Sequence, residues 1–175
     1  MANKAIFTYG RMNPPTIGHK KLIKEMLKRA KRSGATPFIV ITHTQNKKKN
    51  PLKVTEKVAI LTRMFPGIEI MYTSSTEPNP NFIAGRLEKR GFKNINMMVG
   101  SDQVKTFEKF VKVPVLSGGI RDPNSNSVSA MSATKLRDAA KKDPPNWNTF
   151  RGGINKSLSN SETRDLMDLI RGRLS

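Results

Sequence analysis

The sequence of 175 residues predicts one α/β domain built on a doubly wound, mostly parallel sheet of about five strands in the order 3-2-1-4-5. Short apolar, β-branched runs alternate along the chain with stretches of helical periodicity, and loops rich in Gly, Pro, Asn or Ser separate them. A chain of this length has room for one proper core. We therefore expect a single domain over residues 1–175, with an α/β core over 1–142 and a C-terminal helical extension over 143–175.

The first strand and the first helix are predicted by clear changes in periodicity. Residues 5–9 form a short apolar, β-prone run, and apolar residues then recur at helical spacing between Leu22 and Ala30. This pattern predicts a helix that begins near Gly18 and ends at Gly34.

The turn that joins this strand to this helix has unusual chemistry. Residues 9–19 contain two glycines and two prolines, so the turn is stiff and allows close backbone approach at Gly10 and Gly18. Its last residues place Gly18, His19 and several backbone N–H groups at the positive end of a helix, where a phosphate is favoured. The turn therefore predicts a phosphate site, although His19 at a helix start is also compatible with capping alone.

The next strand and helix repeat the same arrangement. Residues 37–42 are a continuous apolar run typical of a buried parallel strand, and residues 55–65 predict a helix stopped by Pro66 and Gly67. The polar, basic loop over 43–52 follows the strand at its carboxyl end. Because parallel strands end at the same edge, this loop is expected on the edge that carries the first turn.

The remaining elements follow in the same alternation. They are predicted at residues 68–72 (strand), 82–90 (helix), 94–99 (strand), 104–110 (helix) and 112–116 (strand). Pro114 suits an edge position for the last strand. Residues 117–130 predict a mobile loop, a helix starts near Ser132, and a capping-box pattern from Ser159 opens the final helix.

The composition excludes several classes of site. The chain has no cysteine and only two histidines, which excludes disulfides and thiol nucleophiles and argues against a structural metal centre. No run approaches the roughly 20 apolar residues of a membrane span, and residues 1–25 lack the core of a signal peptide. We expect a cytoplasmic protein without a resident metal, membrane partner or disulfide.

The charge of the chain is its most uneven property. The formal net charge is +19, and residues 1–63 carry 15 Lys and Arg against two Glu, which gives +13 in the first third. Such a field attracts polyanions, whether nucleic acid, an acidic protein surface or a triphosphate substrate. A solvated face of the first helix explains the same lysines equally well.

Two motifs at helix starts resemble those of the nucleotidyltransferase superfamily, whose cytidylyltransferase-like members carry a His-x-Gly-His or Thr-x-Gly-His signature. Here the four positions are Thr16, Ile17, Gly18 and His19. The second motif, residues 131–137, is similar to the family's Ile-Ser-Ser-Thr-x-Ile-Arg signature, with Met and Ala at its first and third positions. Hydroxyls, cations and unpaired backbone N–H groups at a helix start suit the β- and γ-phosphates of a triphosphate.

The resemblance is closest to the nicotinamide-nucleotide and phosphopantetheine adenylyltransferases. After the second strand, archaeal-type nicotinamide-mononucleotide enzymes carry a Gln, then Asn-Pro-Phe-Thr and Glu-Arg. This chain has a looser copy in Gln45, Asn50 to Leu52, Thr55 and the pair Glu56 and Lys57. Lys47, Lys48 and Lys49 either contact outer phosphates or form a solvated run.

The resemblance implies a Rossmann-like fold and transfer of a nucleoside monophosphate, AMP from ATP with Mg²⁺ or CMP from CTP, to a phosphorylated acceptor with release of pyrophosphate. Nicotinamide mononucleotide is the first choice of acceptor, and phosphopantetheine or a phosphorylated alcohol are alternatives. The implied catalytic residues are Arg11, Thr16, His19, Lys135 and Arg137. The implied nucleotide-binding residues are Gly10, Gly18, Gly100, Asp102, Ser132 and Thr134, where Gly100 and Asp102 are equally compatible with a helix cap. The implied acceptor-binding residues are Asn13, Gln45 and Asn50.

A different class of function fits the charge. Nucleotidyltransferase-like chains of this size also occur in tailed phages, so a phage-encoded protein in the host cytoplasm or the virion is one alternative. Such a protein would bind nucleic acid or serve a structural role and would keep the fold without relevant turnover. The oligomeric state is left open, with a homo-oligomer as one possibility.

Overall fold

The computed structural model describes residues 3–119 and 132–175. Its strands are β1 (Lys4–Gly10), β2 (Thr36–Ile41), β3 (Glu69–Tyr72), β4 (Asn94–Val99) and β5 (Val115–Ser117). Its helices are α1 (Ile17–Ser33), α2 (Val54–Met64), α3 (Pro80–Lys89), α4 (Val104–Glu108), α5 (Ala133–Lys141), α6 (Trp147–Gly153) and α7 (Asn160–Leu174), and a short 3₁₀ turn covers Ser101–Gln103. The predicted alternation of strands and helices is therefore confirmed.

The five strands form one sheet in the order β3-β2-β1-β4-β5, and every neighbouring pair is parallel. The predicted fold class, an α/β Rossmann-like sheet with C-terminal helices, is confirmed. The central strand β1 pairs with β2 from Ala5 to Gly10, so its carboxyl end lies beside Ile41 at the end of β2. β5 is an edge strand, and Pro114 immediately precedes it.

The chain divides into two compact units, and the first contains the whole sheet. This sheet unit comprises residues 3–10, 21–43 and 67–119 of the described chain. The interior positions of β2 are buried on both faces, which explains why the sequence reads as a continuous apolar run. One core cluster includes Phe7, Phe38, Val40, Leu87 and Met97, all of them buried.

The second unit, here called the helical unit, comprises residues 11–20, 44–66 and 132–175 of the described chain. Its core includes Leu52, Leu136, Phe150 and Ile170, each without exposed surface, and Trp147 packs against this cluster. The helical unit thus contains residues 11–19 of the first turn, residues 44–52 of the loop after β2, and the C-terminal helices. The single-domain organisation with a boundary near residue 142 stays a prediction.

Some boundaries differ from those that the sequence predicts. The helix expected over 104–110 ends at Glu108, and the last strand begins at Val115 because Pro114 has no N–H for a ladder bond. The loop predicted over 117–130 lies outside the described residues from position 120, as does Met131 of the second motif. The helices of the described ranges include none with the length and apolar content that a bilayer crossing needs.

Candidate active site

The turn between β1 and α1 is buried and conformationally strained. Residues 12–16 are all buried, whereas Arg11 is exposed. Met12 has a φ of 49°, in the left-handed region, which costs a residue with a Cβ about 1 kcal/mol. Strain of this kind persists only where the surrounding structure holds it, and it is common at binding sites.

Thr16 and His19 are hydrogen-bonded to each other at the start of α1. The Thr16 Oγ1 accepts hydrogen bonds from the N–H groups of Gly18 at 3.1 Å and His19 at 3.3 Å, and so caps the helix. The Thr16 N–H donates to Nδ1 of His19 at 2.9 Å. Because Nδ1 accepts, the proton of a neutral His19 ring lies on Nε2, where it is suited to donation toward a phosphate oxygen.

Asn13 ties the first turn to the loop before α2. Its amide donates from Nδ2 to the Leu52 carbonyl at 3.1 Å, and its Oδ1 accepts from the Leu52 N–H at 2.8 Å. The side chain is fully buried. Asn13 was predicted to bind the acceptor. The hydrogen bonds described for its side chain are these two to Leu52, so its role at the acceptor stays a prediction.

Arg137 joins the second motif to the turn that precedes the first. Its Nη1 donates to the Asn13 carbonyl at 2.8 Å and its Nη2 donates to Thr134 Oγ1 at 3.1 Å. Burial lowers the pKa of Arg137 from its ordinary value; Asp138 opposes that shift, while the nearby positive charge of Arg11 adds to it. The second motif therefore contacts the turn that carries the first motif, within the helical unit, although 124 positions separate Asn13 from Arg137.

Lys57 supports the same turn from α2. Its Nζ donates to the Arg11 carbonyl at 2.8 Å, and the side chain is fully buried. Burial lowers the pKa of Lys57 to about 8. From the sequence, Lys57 was expected only as the second residue of the Glu56–Lys57 pair that opens α2, and that pattern did not indicate its burial.

The start of α5 carries the remaining residues of the second motif. Ser132 caps this helix, because its side chain accepts from the Lys135 N–H at 3.3 Å. Thr134 is exposed and Lys135 is half-buried. The helix start thus offers hydroxyl groups, a cation and backbone N–H groups together, which is the combination that the sequence predicted for a phosphate.

The loop predicted to contact the acceptor is folded around Asn46. Asn46 Oδ1 accepts from three successive N–H groups, those of Lys48 at 3.1 Å, Lys49 at 2.9 Å and Asn50 at 3.2 Å. Gln45 is exposed and donates from Nε2 to the Pro51 carbonyl at 3.5 Å, whereas Asn50 is buried. The loop and Arg11 line a cavity of about 610 Å³.

Three predicted residues belong to the sheet unit. Gly10 ends β1, and its carbonyl accepts from the Thr42 N–H at 3.1 Å. Gly100 ends the loop after β4, where an added Cβ would lie 2.8 Å from Asp102 Oδ1, so a side chain there would displace that carboxylate. Their roles in nucleotide binding stay predictions.

The comparisons with known proteins agree with the fold. A family model described as cytidylyltransferase-like matches residues 7–139. A Vibrio parahaemolyticus structure assigned as a nicotinate-nucleotide adenylyltransferase is similar, with a TM-score of 0.57 and 15% identity over 95% of this chain and 99% of that one. No curated protein sequence matches the chain significantly.

A second solved structure has the same fold. The nicotinic acid mononucleotide adenylyltransferase of Plasmodium falciparum, complexed with APC, gives a TM-score of 0.62 and 14% identity over 95% of this chain and 98% of that one. At these identities the likeness to both structures establishes the fold.

Proposed function

This chain belongs to the cytidylyltransferase-like family, and on that basis we propose that it is a nucleotidyltransferase. The proposed reaction transfers a nucleoside monophosphate, AMP from ATP, to a phosphorylated small molecule. An oxygen of the acceptor phosphate attacks the α-phosphorus in line. The bond from that phosphorus to the bridging oxygen breaks, and its electron pair leaves with pyrophosphate.

The observation that carries this proposal is the hydrogen bond from Arg137 to the Asn13 carbonyl. It joins the turn before α1 to α5, so the starts of both helices belong to one compact unit. One helix start with cationic or donor side chains is a common feature of α/β proteins, but two in one unit, with His19 at the first and Lys135 at the second, suit a ligand with several phosphates.

The nucleotide is proposed to bind across both helix starts. His19 would donate from Nε2 to the α-phosphate, where negative charge develops, and the Thr16 N–H, by donating to Nδ1, would keep the ring in this tautomer. Arg11 and Lys135 would neutralise the departing pyrophosphate, beside Ser132 and Thr134. No protein nucleophile is proposed, so catalysis consists of positioning and charge stabilisation.

Arg137 is proposed to act through position more than through direct phosphate contact. Its guanidinium is buried and hydrogen-bonded to the chain at two of its nitrogens. The same reasoning applies to Asn13, whose amide is paired with Leu52. Gly10 and Gly18 would allow close approach of the nucleotide to the backbone, and Gly100 and Asp102 are retained as proposed nucleotide-binding residues.

Mg²⁺ is proposed to arrive with the triphosphate, bound to its phosphate oxygens. Within the described ranges, no group of three His, Asp or Glu side chains is arranged to hold a metal ion. Mg²⁺ does not need such a group, because it keeps several waters and is commonly bound through substrate phosphates. The ion would withdraw charge from the leaving pyrophosphate.

Nicotinamide mononucleotide is the first acceptor to test, with Gln45 and Asn50 as its proposed contacts. Phosphopantetheine, favoured by Thr16 in the first motif, and phosphorylated alcohols with CTP are the alternatives within the class. The names of the two similar structures make a nicotinate or nicotinamide nucleotide a reasonable start.

Pyrophosphate release tests the proposal directly. The purified protein should release pyrophosphate from ATP or CTP with at least one acceptor of a phosphorylated panel. His19→Ala should lower that rate by about 10²- to 10³-fold, the usual cost of removing a preorganised donor at a developing charge. The released pyrophosphate is hydrolysed by added pyrophosphatase, and the resulting phosphate is measured at saturating nucleotide concentration.

The other histidine of the chain provides a matched control. His43 hydrogen-bonds through its N–H and Nδ1 to Thr73 and lies in the sheet unit. His43→Ala should stay within a few-fold of the wild-type rate. Equal losses in the two variants, or no pyrophosphate release with any nucleotide and acceptor, would contradict the proposed function.

The positive charge supports a second candidate, a nucleic-acid-binding or virion-associated protein that retains this fold. Lys21, Lys24, Lys28 and Lys31 lie at i, i+3, i+7 and i+10 of α1 and are all exposed, so they form one basic stripe. This stripe needs no nucleotide chemistry to bind a polyanion.

A further inference from the structure

The cavity beside Arg11 is lined by more positive charge than one phosphate needs. It is bordered by Arg11 and by residues 46–50, here called the lysine loop, and has a volume of about 610 Å³. Lys47, Lys48 and Lys49 give it four cations with Arg11, and its described lining residues include no carboxylate. A phosphate ester carries a charge of about −1.5 to −2 at neutral pH and would neutralise only half of them.

The loop that presents these lysines is built by its own hydrogen bonds. Asn46 Oδ1 accepts from three consecutive N–H groups, and the Asn46 N–H donates to the Asn50 carbonyl at 2.8 Å. The backbone is therefore fixed while the three lysine side chains stay exposed. A solvated lysine run would not require such a folded backbone.

Asn50 supplies a second observation at the same cavity. Its residue is 2% exposed, and its Oδ1 accepts no hydrogen bond within the part of the chain that is described. A buried acceptor without a donor costs about 1–3 kcal/mol, so such groups commonly mark the place of a missing partner. Asn50 lines the cavity, so a hydroxyl or amide of a ligand that reached the buried Oδ1 would supply the donor.

From these features we propose that the lysine-loop cavity binds an acceptor with a second anionic group in addition to the phosphate that attacks the nucleotide. The acceptor class is a phosphorylated polyol or sugar with at least two acidic groups. This inference rests on the proposed function for the identity of the site as an acceptor site. It narrows the acceptor to compounds that carry a second acidic group besides that phosphate, and it ranks nicotinamide mononucleotide below acceptors of that kind.

Fructose 1,6-bisphosphate and fructose 6-phosphate are matched probes, because they share one carbon skeleton and differ by one phosphate. Their Kd values are measured by calorimetry at physiological salt, with α,β-methylene-ATP saturating the triphosphate site. The wild-type protein should bind the bisphosphate at least about 10-fold more tightly, as expected for several additional partly screened cation–phosphate pairs. The triple variant Lys47→Gln, Lys48→Gln, Lys49→Gln should reduce this preference to about 3-fold or less by the same reasoning.

A second triple variant has the same loss of charge at another place. Lys21→Gln, Lys24→Gln and Lys31→Gln alter exposed residues of α1 that do not line the cavity, and this variant should keep the full preference. Asn50→Leu should weaken the binding of both sugar phosphates, because it removes the hydrogen-bond acceptor for a hydroxyl group that both ligands share. Circular dichroism of each variant checks that the fold is retained.

Three results would overturn the inference. The first is that the wild-type protein binds the two sugar phosphates with equal affinity, and the second is that both lysine variants lose the preference equally. The third is that the lysine-loop variant binds a single-stranded oligonucleotide more weakly but binds the bisphosphate as the wild type does. The last result would assign the loop to nucleic acid. Failure of pyrophosphate release with intact bisphosphate preference would instead contradict the proposed function alone.

Discussion

Lys57 combines complete burial with a charge that the fold must accommodate. Its Nζ is hydrogen-bonded to the Arg11 carbonyl, and burial lowers its pKa to about 8 from an ordinary 10.5. In the unfolded chain the group regains its ordinary pKa, so between pH 8 and pH 10.5 the unfolded state binds more protons than the folded state. The free energy of unfolding therefore rises with pH across that interval, and the cost of burying the charge is present in full below pH 8.

The prediction at the residue scale concerns the slope of stability with pH. Between pH 8 and pH 9.5, the Lys57 contribution to the free energy of unfolding should rise by roughly 1.5 kcal/mol, and Lys57→Met should abolish this rise. Urea unfolding at several pH values measures it. The interval ends below pH 10 because Tyr9, whose pKa is raised by burial to about 12, causes stability to fall above pH 10.

The exposed Lys24 serves as the control for this substitution. Lys24→Met removes the same charge from the surface of α1 and should keep the wild-type slope. Parallel pH profiles for wild type and Lys57→Met would show that Lys57 is not buried as a cation.

The C-terminal helix α7 is linked to α2 and to the acceptor loop by one side chain. Arg173 donates to the Pro51 carbonyl at 3.0 Å and to both carboxylate oxygens of Glu56. Glu56 also accepts from the Lys53 N–H at 2.8 Å, which gives that N–H a partner at the start of α2. Partial burial raises the pKa of Glu56, but the hydrogen bonds from Arg173 and Lys53 outweigh it and hold the pKa below its ordinary value.

The prediction at the element scale follows from this link. Because the folded-state pKa of Glu56 is depressed, its stabilising contribution is present above its ordinary pKa of 4.5 and is lost as pH falls through the folded-state value. Arg173→Met should lower the free energy of unfolding at pH 7 by about 1 kcal/mol, a value discounted for partial exposure, and by less near pH 3. Chemical unfolding at both pH values measures the difference.

Lys156 is the control for the charge change, because it is exposed in the loop before α7. Lys156→Met should leave stability unchanged at both pH values. A loss in Arg173→Met that is equal at pH 3 and pH 7 would show that packing of the long side chain, rather than its pairing with Glu56, connects α7 to α2.

The elements themselves were readable from the sequence wherever periodicity was strong. The continuous apolar run over 37–42 predicted β2, and its residues are buried on both faces. The five-stranded order also followed from the alternation of strands and helices, since parallel connections allow few topologies.

The contacts of the candidate site were less predictable. A lysine in the first turns of a helix is normally exposed, so nothing local indicated that Lys57 is buried against the Arg11 carbonyl. The pairing of Asn13 with Leu52 joins positions that are 39 residues apart, and such pairs depend on tertiary packing. The motifs were therefore predictable from the sequence, whereas the hydrogen bonds that position them were found only in the structure.

At the scale of the whole molecule, the net charge of +19 has consequences that no single site explains. The basic stripe of α1 contains Lys21, Lys24, Lys28 and Lys31. Among the described residues, Glu25 forms a salt bridge with Lys28 at 3.5 Å. A polyanion that covers the stripe would release condensed counterions, which makes its affinity fall with salt. Such binding is independent of the chemistry proposed at His19.

The prediction at this scale is a steep salt dependence for binding of single-stranded RNA. A stripe of four lysines should give a slope of about −2 to −3 when the logarithm of the association constant is plotted against that of the salt concentration. Lys21→Gln, Lys24→Gln and Lys31→Gln together should reduce the slope by about 2, at roughly 0.7 per phosphate contact. Fluorescence anisotropy measures these slopes between about 50 and 200 mM salt, because the screening of surface charges changes substantially over that interval.

His19→Ala should leave the slope unchanged, because a nucleotide-site donor takes no part in counterion release. A slope near zero, or one that the three substitutions do not alter, would leave the stripe as a solvated helix face and remove the support for the nucleic-acid-binding alternative.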